Sequence, residues 1–336
     1  MSRGRVRTRR TTLGLALVVA AATALTGCSA LGSDSSNTSS SGGGGLEKTK
    51  IKVAILPTID TAPLWLAQDG GYFKAEGLEV EAVTAASGQA SMTKAISGEA
   101  DIAISSYMPF FVAKSTGAAD LQFVSDATSI SPKSFAIVTV PNSPVKTIND
   151  LAGKRIAMTA KNTASDLLAK SLMKDHGVPI DKVNWTQIPF PNVAAALAAG
   201  QVDAALLPEP FLSQAAKTAG AIPVVDVNTG ATQDFPLSGY ASTKKWVQAN
   251  PKTLAAFQRA LAKATSDTAA DRSKIEPILV KYAKIDEGTA KLLNLPAFTA
   301  KLDPRRLQRV PDLMLQMGAI TTAVDASSMI APQAGS

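Results

Sequence analysis

Only a narrow set of side chains in this chain of 336 residues could do chemistry, and their types favour gripping a molecule over breaking bonds. There is one histidine, His176, and one cysteine, Cys28. A His/Cys metal site needs several such ligands together, and a Cys–His nucleophile needs both partners in the folded part. Neither is expected. No Walker-type phosphate loop occurs either, because the glycine run at 42–45 follows serines rather than a strand. What remains are carboxylates, hydroxyls and amides grouped where strands end and helices start. They are Asp60 and Thr61; Ser105, Ser106 and Tyr107; Asn162 and Thr163; Glu209; and Tyr240. Unpaired N–H groups at helix starts can hold an anion or a carbonyl oxygen, and side chains beside them read a ligand by hydrogen bonds. These residues form the candidate ligand-binding set. No catalytic residue, metal or cofactor is expected.

Each candidate also has a plainer reading. Thr163-x-x-Asp166 is a helix-capping pattern, and Asp60 could equally be a cap. Glu209, in the first turn of a helix opening at Pro208, could simply complement the helix dipole, although Pro208 and Pro210 fix its backbone at a strand end. Tyr240 could wall a cleft or merely pack, Trp65 reads as core or cleft edge, and Met108, Phe110 and Phe111 read as core. His176 beside Gly177 reads as a helix end. Charge separates the ligand classes. Asp60, Asp166, Glu209 and Asp234 are acidic, whereas only Lys133 and Lys161 lie near them in sequence with positive charge. Desolvated carboxylates repel a bare anion. The expected ligand therefore carries an amine, a ring N–H or another donor, as a zwitterion of the taurine type would.

The elements that must position these residues repeat. Gly98 and Asp101 precede a short apolar run, and 102 residues later Gly200 and Asp203 precede another at 204–207. The same offset relates Asp60 to Asn162, Thr61 to Thr163, and Leu66–Ala67 to Leu168–Ala169. Short strands separated by amphipathic helices imply doubly wound sheets, and a shared register implies two similarly built lobes. In such sheets ligands bind beyond the carboxyl ends of the strands. That brings the loops at 57–61 and 159–163, and the strand ends at 105–107 and 208–210, to matching places.

The net charge of +7 is misleading. Five arginines (Arg3, Arg5, Arg7, Arg9, Arg10) fall before residue 28 with no acid among them, which leaves 29 basic residues against 27 acidic ones. No basic stripe suited to nucleic acid remains. The arginine-rich start, the apolar run at 13–25 and the small residues before Cys28 have the parts of an export signal. Residues 25–28 (LTGC) resemble a lipobox, in which Cys28 would be lipidated, and Arg9-Arg10 leaves twin-arginine export open. The Ser/Gly-rich stretch at 29–45 then reads as a flexible tether.

Three motifs carry a family resemblance. Residues 62–81 (APLWLAQDGGYFKAEGLEVE), 150–157 (DLAGKRIA) and 201–211 (QVDAALLPEPF) resemble substrate-binding proteins of ABC importers of the nitrate, sulfonate, taurine and pyrimidine-precursor group. The resemblance implies an α/β, two-lobed periplasmic-binding-protein-like fold. Each lobe would be a doubly wound, mostly parallel sheet, joined by two crossover segments near 135–140 and 237–242. Segments follow: a lipoprotein signal peptide at 1–27, the lipidated cysteine and tether at 28–47, and the first part of lobe one at 48–138. Lobe two would occupy 139–239, the return to lobe one with C-terminal helices 240–325, and a loose tail 326–336. The lipobox and tether place the protein at the outer face of the cytoplasmic membrane, anchored by lipid on Cys28, and a monomer is expected. It would deliver a small molecule to an ABC permease and its ATPase. A surface sensor and a secreted enzyme are the alternatives.

Overall fold

The computed structural model describes residues 45–334, and the expected signal segment and Cys28 lie outside them. Residues from Gly45 onward form one compact unit. The chain opens with β1 (Lys50–Ile55), α1 (Ala62–Asp69), the single turn α2 (Tyr72–Ala75), β2 (Glu79–Thr84), α3 (Gly88–Ser97), β3 (Ile102–Ser106), α4 (Tyr107–Ser115) and β4 (Leu121–Ser129). It continues through β5 (Phe135–Thr139), β6 (Arg155–Met158), α5 (Ala164–Asp175), β7 (Asn184–Gln187), α6 (Phe190–Ala198), β8 (Ala204–Pro208), α7 (Phe211–Ala219) and β9 (Ile222–Asp226). Last come β10 (Pro236–Thr243), α8 (Lys244–Ala249), α9 (Pro251–Ala270), α10 (Glu276–Ala283), α11 (Glu287–Leu292), β11 (Ala297–Phe298) and α12 (Pro304–Gln316).

The strands form two sheets, one per lobe, ordered β11-β4-β10-β3-β1-β2 and β7-β6-β8-β5-β9. The two share a plan. A parallel trio, β2-β1-β3 or β7-β6-β8, is extended by a strand that runs antiparallel to it, β10 or β5. Each sheet is thus mixed, because the strand arriving from the other lobe enters against the grain. The chain passes between sheets at 130–134 and returns at 227–235, just before the segments to which the resemblance assigned the crossovers. The boundaries drawn at 138/139 and 239/240 consequently fall inside β5 and β10.

The repeated Gly-x-x-Asp motif has a mechanical role at the end of each sheet away from the loops at 57–61 and 159–163. Gly98 and Gly200 end helices α3 and α6 with φ of 80° and 65°, where a residue with a Cβ is strained. Asp101 then donates its backbone N–H to the Lys52 carbonyl and accepts the Lys52 N–H on its carboxylate, both at 2.8 Å. Asp203 does the same to Arg155, at 2.8 and 2.9 Å, and adds a two-pronged pairing with the guanidinium at 2.7 and 3.1 Å. Each aspartate therefore pins the middle strand of its parallel trio near its start.

The core is continuous across the lobes. Phe110, Phe111 and Phe123 of the first lobe belong to one apolar cluster with Leu168 and Leu172 of α5 and Leu307 and Val310 of α12. Met108, Phe110 and Phe111 are fully buried, as their spacing indicates. Residues 326–334, expected to be loose, are docked instead. Ala326 and Met329 are buried, and Ala331 donates its N–H to the Phe123 carbonyl at 2.9 Å, extending the edge of β4. Their small apolar residues fill a gap that sequence patterning does not reveal. His176 ends α5, with its Nδ1 2.8 Å from the Leu172 carbonyl. Asp203→Ala leaves the Arg155 N–H without its acceptor. It is expected to lower unfolding free energy by about 1–3 kcal/mol in urea titrations.

Candidate functional site

The carboxyl ends of the two parallel trios face each other around a cavity of about 490 Å³, its mouth included. The first lobe lines it with Leu56, Thr58, Asp60, Gly88, Ile104, Ser105 and Ser106. The second lobe and the strands that cross over add Phe135, Thr159, Thr163, Ala164, Ser165, Phe190, Pro208 and Leu237. Its surface is apolar and aromatic, interrupted by hydroxyls and one carboxylate.

Local sequence explains the placement of each wall. On the first lobe, Ser87 caps α3 by accepting the Ala90 N–H at 3.1 Å, so Gly88 opens the helix directly against the cavity. A Cβ there would lie 2.1 Å from Ser105 Oγ, so any other residue forces that hydroxyl to turn away. Ser105 is 3% exposed and its hydroxyl has no hydrogen-bond partner. An unpaired buried hydroxyl costs free energy unless something in the cavity satisfies it. On the second lobe, Thr163 and Asp166 form a capping box at the start of α5, with the Thr163 N–H donated to Asp166 at 2.8 Å. Thr159, Thr163 and Ser165 join through hydroxyl contacts of 2.9–3.4 Å. The walls touch directly where the Ala164 N–H donates to Ser106 Oγ at 3.3 Å.

Among the described residues, Asp60 is the only ionisable one that lines the cavity, and no lysine or arginine does. The cavity reaches its side chain, so it is half-buried by surface area, yet protein atoms surround it closely. That burial raises its pKa from 3.8 to about 6, against the opposing effect of hydrogen bonds from Ser238 and its own N–H.

The structure brings Asp60, Ser105, Ser106 and Thr163 together around the cavity and leaves the other candidates outside its lining. Thr61 is buried on the far side of its turn, donating its hydroxyl to the Thr58 carbonyl at 2.8 Å. Tyr107 points into the core and donates to Asp126 at 2.6 Å. Asn162 takes a left-handed backbone, φ 60°, and its N–H donates to Asp166 at 3.0 Å. Tyr240 packs edge-on against Phe257, and its buried hydroxyl has no partner. Burial, reinforced by the charge of Asp60, pushes that hydroxyl's pKa up.

Glu209 differs most from its expected setting. Pro208 still pairs with Phe135 in β8, and a residue before proline avoids helical angles, so α7 starts only at Phe211. The Glu209–Pro210 peptide is cis. The 1%-exposed Glu209 carboxylate turns to the Ser213 N–H and hydroxyl, at 3.0 and 2.9 Å, capping α7 from in front. Burial raises its pKa. The wider charge reading changes accordingly. Asp166 is consumed by its cap and by Lys170 at 2.9 Å, while Asp234, Lys133 and Lys161 are exposed and do not line the cavity.

Gly88, Phe135, Ser165 and Phe190 were not singled out from sequence, whereas Thr58 and Thr159 fall in the two loops expected at the ligand end. The repeat held a usable signal for two of them. Gly88 and Phe190 are 102 residues apart, each the first residue of its helix. Ser106 and Pro208, both lining residues, obey the same offset.

Comparison with known proteins accords with this geometry. The family described as NMT1/THI5 like matches residues 58–274. A candidate binding protein, YtlA of Bacillus subtilis, is 26% identical over 219 residues, covering 64% of this chain and 65% of its own. A candidate aliphatic sulfonates-binding protein of Escherichia coli is 28% identical over 187 residues, 56% of each. The chain thus spans less than two thirds of either relative. The alkanesulfonate-binding protein SsuA from Xanthomonas axonopodis pv. citri, solved bound to MOPS, superposes with a TM-score of 0.73. It is 19% identical, and the match covers 85% of this chain and 99% of that one. This likeness establishes the two-lobed binding-protein fold.

Asp60 titrates higher in the folded chain than in the unfolded one. The folded state therefore holds the proton more tightly, and stability falls as pH rises from about 4 to about 6 and stays lowered above that. Asp60→Asn is expected to flatten this slope and to stabilise the protein by roughly 2–3 kcal/mol at pH 7. Chemical denaturation across pH 4–8 measures both.

Proposed function

Because the chain belongs to the NMT1/THI5-like family, we propose that it is a solute-binding protein of an ABC importer. In this reading it traps a small organic nitrogen- or sulfur-containing molecule between its lobes and delivers it to a permease and its ATPase. The observation that carries the ligand class is the lone carboxylate of Asp60 in a lining without a basic residue. A bare anion finds no counter-charge there, whereas an amine or ring N–H finds an acceptor. Phe135 and Phe190 offer apolar faces, and the unpaired Ser105 hydroxyl offers a donor to a carbonyl, carboxylate or sulfonate oxygen. A molecule with a donor at one end and an acceptor at the other fits both, and an amino-sulfonate would unite this chemistry with the names of the relatives.

Catalysis is the weaker reading. A serine nucleophile needs a base within hydrogen-bond reach, and the Ser105 hydroxyl has no partner at all. The protein would work as a monomer held at the outer face of the cytoplasmic membrane by lipid on Cys28, with residues 29–45 as tether.

A thermal-shift panel on protein beginning at Gly45 tests the ligand class, using amines, amino-sulfonates, simple sulfonates, nitrate, pyrimidines and flavin. At a hundredfold excess over Kd, a true ligand adds about 2.7 kcal/mol. Donor-bearing compounds should stabilise the wild type, and Asp60→Asn should weaken them about tenfold or more, the worth of one charged hydrogen bond. Stabilisation by inorganic anions or simple sulfonates alone would sink the reading. Mass spectrometry of the recovered compound separates binding from turnover, and uptake after gene deletion separates import from sensing.

A further inference from the structure

Ser105 and Ser106 line the cavity, and the residue that follows them is tied down across three neighbouring strands of the first sheet. In β3, β10 and β4, Gly239 sits opposite Ser105 on one side and opposite Asp126 on the other. Tyr107 lays its ring over Gly239 and reaches Asp126 Oδ1 with its hydroxyl at 2.6 Å. A Cβ on Gly239 would run into that hydroxyl and the ring carbons beside it, so any other residue there forces the ring to shift.

The far end of this crossing is fastened from two directions. β4 carries one residue more than β10 at this point, Ala127. Such a bulge leaves a ladder N–H without a strand partner. Asp126 Oδ1 accepts that N–H at 2.9 Å. Its other oxygen pairs with the Arg306 guanidinium of α12, which also donates to the Ser129 hydroxyl. Asp126 and Tyr107 are fully buried, and charge-assisted bonds in such surroundings are the stronger ones. Burial also pushes the Tyr107 hydroxyl's pKa up, so it stays a donor. Phe123 packs edge-on against the ring, with centroids 4.9 Å apart.

The near end is the wall of the cavity. Ser106 is the residue from which α4 starts, but its hydroxyl does not cap that helix. It accepts the Ala164 N–H of the second lobe at 3.3 Å instead, and beside it stands the unpaired hydroxyl of Ser105. We propose that Tyr107, anchored by Asp126 and Arg306, is a positioning residue of the cavity: it fixes the end of β3 so that Ser106 meets Ala164 across the lobes and Ser105 lines the ligand space. The inference rests on the binding reading only for the purpose of these two serines. Its test needs no ligand, so its failure and the failure of the ligand reading are distinguishable.

Hydrogen–deuterium exchange of the full chain, followed at single amides, is the test. Ser106→Ala removes the acceptor and sets the ceiling: the Ala164 amide should exchange about tenfold faster. Tyr107→Phe, which deletes one oxygen and keeps the ring, should accelerate the same amide roughly fivefold. Gly239→Ala displaces the ring from the β10 side with the hydroxyl still present, and should act in the same direction. The double variant Ser106→Ala/Tyr107→Phe should exchange no faster at 164 than Ser106→Ala alone, an outcome that general loosening does not give. Asp101→Asn, at the opposite end of the same sheet, should leave 164 as in wild type. Where Tyr107→Phe does not fold, Gly239→Ala decides in its place. An Ala164 amide unmoved by Ser106→Ala or by Tyr107→Phe would overturn the proposal, and so would a double variant in which the two accelerations multiply.

Discussion

Two carboxylates that never touch the cavity determine where a cavity can be. Asp101 and Asp203 each satisfy an N–H near the start of the middle strand of a parallel trio, one that would otherwise lack an acceptor. By fastening the start of the parallel trio, they leave only its carboxyl end for helix starts, loops and exposed polar groups. Both lobes are closed at one end and equipped at the other. Joining them through antiparallel strands from the opposite lobe brings the two equipped ends face to face. The cleft follows from this arrangement and not from any one residue in it.

Within the cleft, chemistry is set by what has been neutralised elsewhere. Of the acids close in sequence to the strand ends, Asp166 is spent on a helix cap and Lys170, and Glu209 on Ser213. Asp60 alone keeps its carboxylate toward the cavity with no counter-ion. The energetic strain of the site is therefore concentrated in one group, whose burial already favours the protonated form. Ser105 adds an unsatisfied hydroxyl packed close against Gly88.

The architecture was legible because its signals are local or periodic. A turn with Gly98 or Gly200 in a left-handed backbone, a Thr163–Asp166 capping box and a fixed offset between lobes can all be read along the chain. The side-chain directions were not. Whether Tyr107 turns to a ligand or to Asp126 depends on a strand that arrives 19 residues later. Tertiary partners of this kind leave no mark within a short window. Glu209 was read as a site residue because two prolines frame it, but both its carboxylate oxygens are claimed by Ser213, four residues on. The aromatic wall was within reach: carrying the offset from Gly88 onward leads to Phe190.

The two passages between lobes are themselves joined, the Ile130 N–H donating to the Phe235 carbonyl at 2.9 Å. Arg309 of α12 holds the second passage further, donating to the carbonyls of Ala231, Gln233 and Asp234 and lying over the Phe235 ring. Segments bonded to one another and braced by a helix bend together or not at all. Apparent affinity scales with the fraction of molecules already in the binding-competent form. Under the proposed binding function, changes at Arg309 or Phe235 would therefore tune how tightly a solute is held while the groups that recognise it stay the same. Two separate dials would then exist on this scaffold, one for which molecule is chosen and one for how long it is kept.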